Sequence, residues 1–486
     1  MSKRLYIPFL LCLGLAGSCG KQPEPAPTDS RRLSFPSESV SVSWEGGDFT
    51  VGVNANFEYK VTPAAAWITE KSLSDASAPV FTATPNALAG ERTTTIRFTD
   101  KSDRYYFKDV TVVQEGNPSA LEAISIVDKD ATPETKALLA HLWLIADRGW
   151  MFGHHDDLWY GRHWYNEPGG SDTKSVCGDY PAVFSVDLSE IMDDRATSSA
   201  TTNAIRRRVI LEARERGEVI LACAHLNNPK TGGSSWLKEE KDKESAAQAV
   251  REILTEGSAT RTKYLSWLDR CADFAIALKD SRGNQVPLIF RMFHEHTQEW
   301  SWWGSSSTTA SEFTALWQFT VRYLRDTKGV HNFLYAISPQ MDGSYPDAQG
   351  RIQFRWPGDD YVDFIGIDCY HGSNNNAFIA NLKALETVSK AKKKPCGVTE
   401  DGIEGFTQSD YWTQYIVNPT DGRRISLVTM WRNEYVGTNE SNTHYYSVFP
   451  GHASENDFRK MYALERTLFS KDLPDMYTMP EGIEIK

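Results

Sequence analysis

Two glutamates define the chemistry the chain could perform. Glu295 closes the run Pro287-Leu-Ile-Phe-Arg291-Met-Phe-His294-Glu295, and Glu400 closes Cys396-Gly-Val-Thr399-Glu400. Each follows an apolar β-type run, so each is expected where a strand gives way to a loop. Cleaving an acetal needs one carboxyl held protonated, to donate to the leaving oxygen. It needs a second, ionised one to attack or stabilise the cationic anomeric centre. Trp300, Trp302 and Trp303 follow Glu295 closely. A wall of indole raises the pKa of one acid by excluding water, and a nearby arginine keeps the other charged. Three tryptophans this close cannot all face one side of a loop, so at least one is expected to be exposed.

Other polar residues end similar runs: His154-His155-Asp156-Asp157, Val186-Asp187, Ala224-His225-Leu-Asn227-Asn228, Asp368-Cys-Tyr370 and Trp431-Arg432-Asn433. The His154–Asp157 run invites a metal reading. No further ligand pair at metal spacing occurs, and His294-Glu295-His296-Thr297-Gln298 fails the HExxH pattern at Gln298. Neither metal nor cofactor is expected. The run around His155 is expected to hydrogen-bond sugar hydroxyls or to cap the floor of a cleft.

The elements that must position these residues follow from periodicity. Apolar strands are expected to begin near Trp150, Ala182, Val219, Leu288, Asn332, Asp363, Pro395 and Ile425. Amphipathic helices lie between them. Ile205, Val209 and Ala213 recur at helical spacing before Gly217, and Phe313, Leu316, Val321 and Leu324 before Gly329. Eight such units over residues 118–486 predict an α/β fold, a (β/α)8 TIM barrel. Strands four and seven then stand opposite each other, and Glu295 and Glu400 face across the mouth. Residues 33–117 read differently. Val40-Ser-Val-Ser-Trp44, Phe49 to Val53, Thr93 to Phe98 and Val110 to Val113 alternate or are β-branched, predicting a small all-β immunoglobulin-like sandwich.

His294-Glu295 followed by Trp300-Ser-Trp-Trp-Gly304 resembles the acid/base motif of glycoside hydrolase family 26, mainly endo-β-1,4-mannanases. The similarity extends over residues 130–470. It implies a retaining endo-hydrolase of mannan, glucomannan or galactomannan, with Glu295 as acid/base and Glu400 as nucleophile. His294 would orient groups in the site, and Tyr370, two residues after Asp368, would hold the nucleophile. Trp300 would stack a sugar on the leaving-group side. His225 and Trp431 would line the central subsite, and Arg432 would grip the next sugar on the non-reducing side. Asp368 and His155 join the substrate-binding set. The chain departs from the family where Asn-Gly is common in the acid loop and Thr297-Gln298 stands instead, which touches the leaving-group side more than the chemistry. The run from Trp67 through Arg92–Phe98 to Val112-Val113-Gln114-Glu115-Gly116 resembles the BACON-type module of Bacteroidetes carbohydrate enzymes, as a spacer or a glycan binder.

Composition agrees with a globular carbohydrate-active protein. Of 486 residues, 40% are hydrophobic and 24% charged, which excludes disordered and polytopic membrane chains. A net charge of -12 argues against nucleic acid and anionic membrane surfaces as partners. Fifteen tryptophans suit the C–H faces of sugar rings. Lys3-Arg4 followed by apolar Leu5–Leu15 is too short to span a bilayer, which takes about 20 residues. Leu15-Ala-Gly-Ser-Cys19 resembles a lipoprotein cleavage box. Residues 1–18 would be a signal peptide, Cys19 the lipidated residue and 19–32 a Pro-rich tether, on an outer-membrane lipoprotein facing either side and acting as a monomer. Cys177, Cys223, Cys271, Cys369 and Cys396 show no CxxC spacing and predict no disulfide framework. Two alternatives stay open: the same mechanism on mixed-linkage β-glucan or β-1,3-xylan, and a non-catalytic glycan-binding lipoprotein.

Overall fold

A computed structural model describes residues 30–117, 123–439 and 441–486. Residues 1–29, where a signal peptide, the lipidated Cys19 and most of a Pro-rich tether were expected, lie outside the described residues. Contacts divide the chain into two compact units. One runs through Thr84 and includes Thr93–Gln114; the other comprises Pro85–Arg92 and Glu115–Lys486.

The described residues of the first unit are all β. A four-stranded sheet (Ser39–Val42, Phe107–Gln114, Arg92–Asp100, Tyr59–Pro63) and a three-stranded sheet (Gly47–Thr50, Val80–Ala83, Ile68–Ser72) enclose one core. Phe81, Ile96, Phe98, Val110 and Val112 are fully buried in it. The alternation expected through Val53 ends earlier, at Thr50. Val51 and Val53 are buried all the same, beyond the strand.

The second unit is a closed parallel barrel. Its strands are β1 (Trp150–His155), β2 (Val183–Asp187), β3 (Val219–Cys223), β4 (Leu288–Arg291), β5 (Phe333–Ile337), β6 (Phe364–Asp368), β7 (Cys396–Asp401) and β8 (Leu427–Met430). Neighbours pair in sequence order, and β1 pairs with both β2 and β8, which closes the ring. Each strand is apolar almost throughout because helices cover its outer face and packed side chains fill its inner one. The principal helices are α1 (Pro133–Ile145), α2 (Asp172–Cys177), α3 (Ala200–Glu215), α4 (Ala259–Ala277), α5 (Ala310–Arg322), α6 (Asn375–Lys392) and α7 (Glu455–Tyr462). The turn after α3 uses Gly217 at φ +89°, a conformation costly for any residue with a Cβ. α5 begins with a capping box between Thr309 and Glu312 and passes into a wider turn at Tyr323–Thr327 before Gly329.

One irregularity re-aims the site. Ile367 of β6 pairs with Val398 of β7, but the next residue, Asp368, pairs with Glu400. Thr399 is therefore an extra residue, a β-bulge that turns its neighbours toward the barrel axis. Gly366 makes room for it, since a Cβ there would lie 2.6 Å from Thr399 Oγ1.

Candidate active site

Glu295 sits just past β4 on a contorted loop. Phe293 and Glu295 both adopt left-handed φ, +52° and +51°. For residues with side chains this costs about 1–3 kcal/mol each and persists only where surroundings enforce it. Here the Glu295 N–H donates to the Ser338 carbonyl (2.7 Å), and the Trp303 indole N–H donates to the His294 carbonyl (2.8 Å). Phe293 is buried among Trp302, Trp303, Phe313 and Trp317. Trp302 and Trp303 are thus core, and Trp300 is the part-exposed member of the three.

The Glu295, Asp368 and Glu400 carboxylates each bring an oxygen within 4.8 Å of the others. Their environments differ. Burial raises the Glu295 pKa well above the ordinary carboxyl range. The charges of Asp368 and Glu400 add to this, and a 2.6 Å hydrogen bond from Trp300 Nε1 opposes it. Glu400, almost buried, is held at both oxygens: one meets the Arg291 guanidinium, and the other accepts from the Tyr370 hydroxyl at 2.7 Å. Arg291 is wholly buried. Burial works against its charge, but Asp368 and Glu400 raise its pKa above the ordinary arginine value. It meets both Asp368 oxygens, at 2.7 and 2.8 Å. Asp368 also accepts from Thr399 Oγ1 at 2.7 Å.

Asp368 corrects the sequence expectation. It has no exposed surface, and its oxygens are taken by Arg291, Thr399 and Ser338, so it supports the site from below instead of lining the cleft. The remaining expected residues converge on the cleft. His225 Nδ1 lies 2.6 Å from Asp187 Oδ2, and its Nε2 lies 3.0 Å from Nε2 of the buried His294. Trp431 stacks on His155 (4.2 Å, 27°), whose Nδ1 is 2.8 Å from Ser185 Oγ. His155 is itself buried, so it backs Trp431 more than it faces solvent. Arg432 donates to the Tyr160 hydroxyl (3.1 Å), which donates in turn to Asp156 (2.6 Å).

The site includes residues that the sequence reading did not single out. Arg291 was hidden inside an apolar run, where an interrupting charge was the available signal. Asp187 ended an apolar run but was given no role, and Trp236 and Tyr160 gave no signal beyond their residue type. Trp236 stacks on Trp300 (4.6 Å, 29°) and widens the aromatic wall. Thr297, at the departure from the family pattern, accepts from the Gln340 N–H (3.0 Å) and so sets a loop whose Gln340 lines the cleft with Gln298. Two hollows share His225, Trp236, Trp431 and His444: about 460 Å³ around the glutamates and about 690 Å³ beyond Trp431 and Arg432. Among the described residues, two groups have metal-ligand types close together, Asp187/Cys223/His225 and Glu295/Asp368/Glu400. In the first, Asp187 and His225 already hydrogen-bond each other. In the second, Arg291 supplies a cation between Asp368 and Glu400.

An eight-stranded parallel barrel with opposed glutamates in an aromatic cleft places the protein among the glycoside hydrolases. Residues 127–405 match the model of glycosyl hydrolase family 26, and the chain belongs to that family. It is 37% identical to a GH26 beta-mannanase of Bacteroides ovatus whose structure is known, covering 72% of this chain and 98% of that one, with a TM-score of 0.65. A GH26C structure from Muricauda sp. is 30% identical over 73% of this chain and 96% of that one, TM-score 0.67. A mannan endo-1,4-beta-mannosidase of Bifidobacterium adolescentis is 29% identical over 385 residues, 74% of this chain. The chain spans only 37% of that relative's length.

Proposed function

We propose that the protein is a retaining endo-hydrolase of β-1,4-mannosidic bonds in mannan-type polysaccharides. The observation that carries this reading is the close approach of Glu295 and Glu400 in unlike surroundings, with carboxylate oxygens within 4.8 Å. Retaining enzymes hold their two carboxyl groups about 5–5.5 Å apart, and inverting ones leave room for a water between. Glu295, kept protonated by burial, gives its proton to the glycosidic oxygen. Glu400, oriented by Arg291 and Tyr370, attacks the anomeric carbon and forms a glycosyl ester. Glu295, now a base, takes a proton from the water that releases the sugar. The mannan endo-1,4-beta-mannosidase of Bifidobacterium adolescentis and the beta-mannanase of Bacteroides ovatus support the substrate class. The apolar leader and Cys19 support a lipid-anchored, envelope-facing setting for this activity, with the N-terminal sandwich as a BACON-like spacer.

The test is kinetic and stereochemical. Glu400→Ala is expected to lose nearly all turnover with an unchanged melting temperature. Glu295→Ala is expected to keep activity on aryl glycosides with good leaving groups, which need no proton. NMR of the first-formed product is expected to show the β-anomer, and an initial α-anomer overturns the mechanism. A reducing-sugar screen over mannan, glucomannan, galactomannan, lichenan and β-1,3-xylan decides the backbone.

A further inference from the structure

Beyond Arg432 the cleft runs on to a wall that the chemistry above does not use. Two loops build it: residues 160–165 after β1 and residues 431–437 after β8. Tyr165 and Tyr435 project from them into the same hollow that His155, Trp431 and Arg432 line. They are 44% and 46% exposed, with ring centroids 5.6 Å apart. Tyr160 connects them to the site. Its hydroxyl receives Arg432, and its ring lies nearly parallel to that of Tyr165 (16°, centroids 6.5 Å).

These rings stand on a rigid frame. The buried Asp172, in the first turn of α2, accepts from the Arg162 N–H (2.8 Å), the Trp164 indole (3.0 Å) and the Asn433 amide (2.9 Å). One carboxylate thereby fastens both loops. The Val436 N–H donates to the Arg162 carbonyl (3.1 Å), a second tie between them. Gly161 leaves no slack, since a Cβ there would lie 2.1 Å from Trp164 Nε1. Two large rings left in water on a preorganised frame have the character of binding anchors, because little ordering entropy remains to be lost.

We propose that Tyr165 and Tyr435 form a further subsite that binds a hexopyranose of the same β-linked chain, next beyond the sugar held by Arg432. The inference rests on the endo-mannanase reading. The occupant follows from continuity: a chain threaded past Trp431 and Arg432 leads to these rings, whose faces match the C–H face of a pyranose while its hydroxyls stay in water.

The full-length chain and its Tyr165→Ala and Tyr435→Ala variants should be compared on mannotriose and mannohexaose. Each substitution is expected to lower kcat/KM on mannohexaose about ten-fold, the scale of one lost anchor, and to leave mannotriose unchanged. Tyr165→Phe and Tyr435→Phe keep the ring face and should retain wild-type values, which separates stacking from misfolding. Equal losses on both sugars, or none on mannohexaose, overturn the subsite while hydrolysis by the wild type upholds the function. If the wild type cleaves neither sugar, the functional reading falls and the subsite with it.

Discussion

Trp300 acts on Glu295 in two opposed ways. Its ring helps exclude water, which raises the carboxyl pKa, while its N–H stabilises the carboxylate and lowers it. Trp300→Phe keeps most of the ring and removes the donor. The acid should then hold its proton to higher pH, so the alkaline limb of kcat/KM is expected to move up. A shift to lower pH would assign the dominant effect to desolvation. Arg291 permits a second test. Arg291→Met leaves Asp368 and Glu400 buried together without a counter-charge, and breaking such a pair costs about 3–5 kcal/mol. Urea unfolding at pH 8 should show that loss, and at low pH it should shrink as the buried Asp368 takes up a proton. At this scale the end of an apolar run was a signal for a residue that lines the cleft, as at Glu295, Tyr370, Glu400 and Trp431. It misled at Asp368, because a strand-end position does not say whether a side chain opens to the cleft or lies beneath it.

Among the elements, all eight barrel strands begin within two residues of the positions expected from apolar runs, since strands covered on both faces have few ways to vary. The bulge at Thr399 was not legible. A one-residue register shift leaves the hydrophobic pattern of β7 intact and shows only in its pairing with β6 and β8. At the start of β3, Glu218 is completely buried, and burial raises its pKa to about 7, against the opposing pull of Arg216. A folded-state pKa above the unfolded value means that stability is fully present below about pH 4.5 and is lost as pH rises through 7. Glu218→Gln removes this titration. Its melting temperature should fall less than that of the wild type between pH 5 and pH 8, and an equal fall in both proteins would refute the assignment.

In the whole molecule, every element of the catalytic cleft belongs to the barrel unit. A chain starting at Asn117 keeps all eight barrel strands but loses Pro85–Arg92, which groups with the barrel, and with it the hydrogen bond from the Asn117 N–H to the Leu88 carbonyl (2.8 Å). Such a chain is expected to melt earlier yet show an unchanged kcat on soluble substrate; a large fall in kcat with the fold intact would mean that the missing residues shape the cleft. The placement of tryptophan carries one more consequence. Trp150, Trp267, Trp302, Trp303, Trp317 and Trp412 are sealed inside, whereas Trp236, Trp300 and Trp431 line the cleft in partial contact with water. Buried indoles emit at shorter wavelength than hydrated ones. A sugar settling into the cleft dries the second group without touching the first, so intrinsic fluorescence should shift to the blue as the cleft fills, and the protein reports its own occupancy without a label.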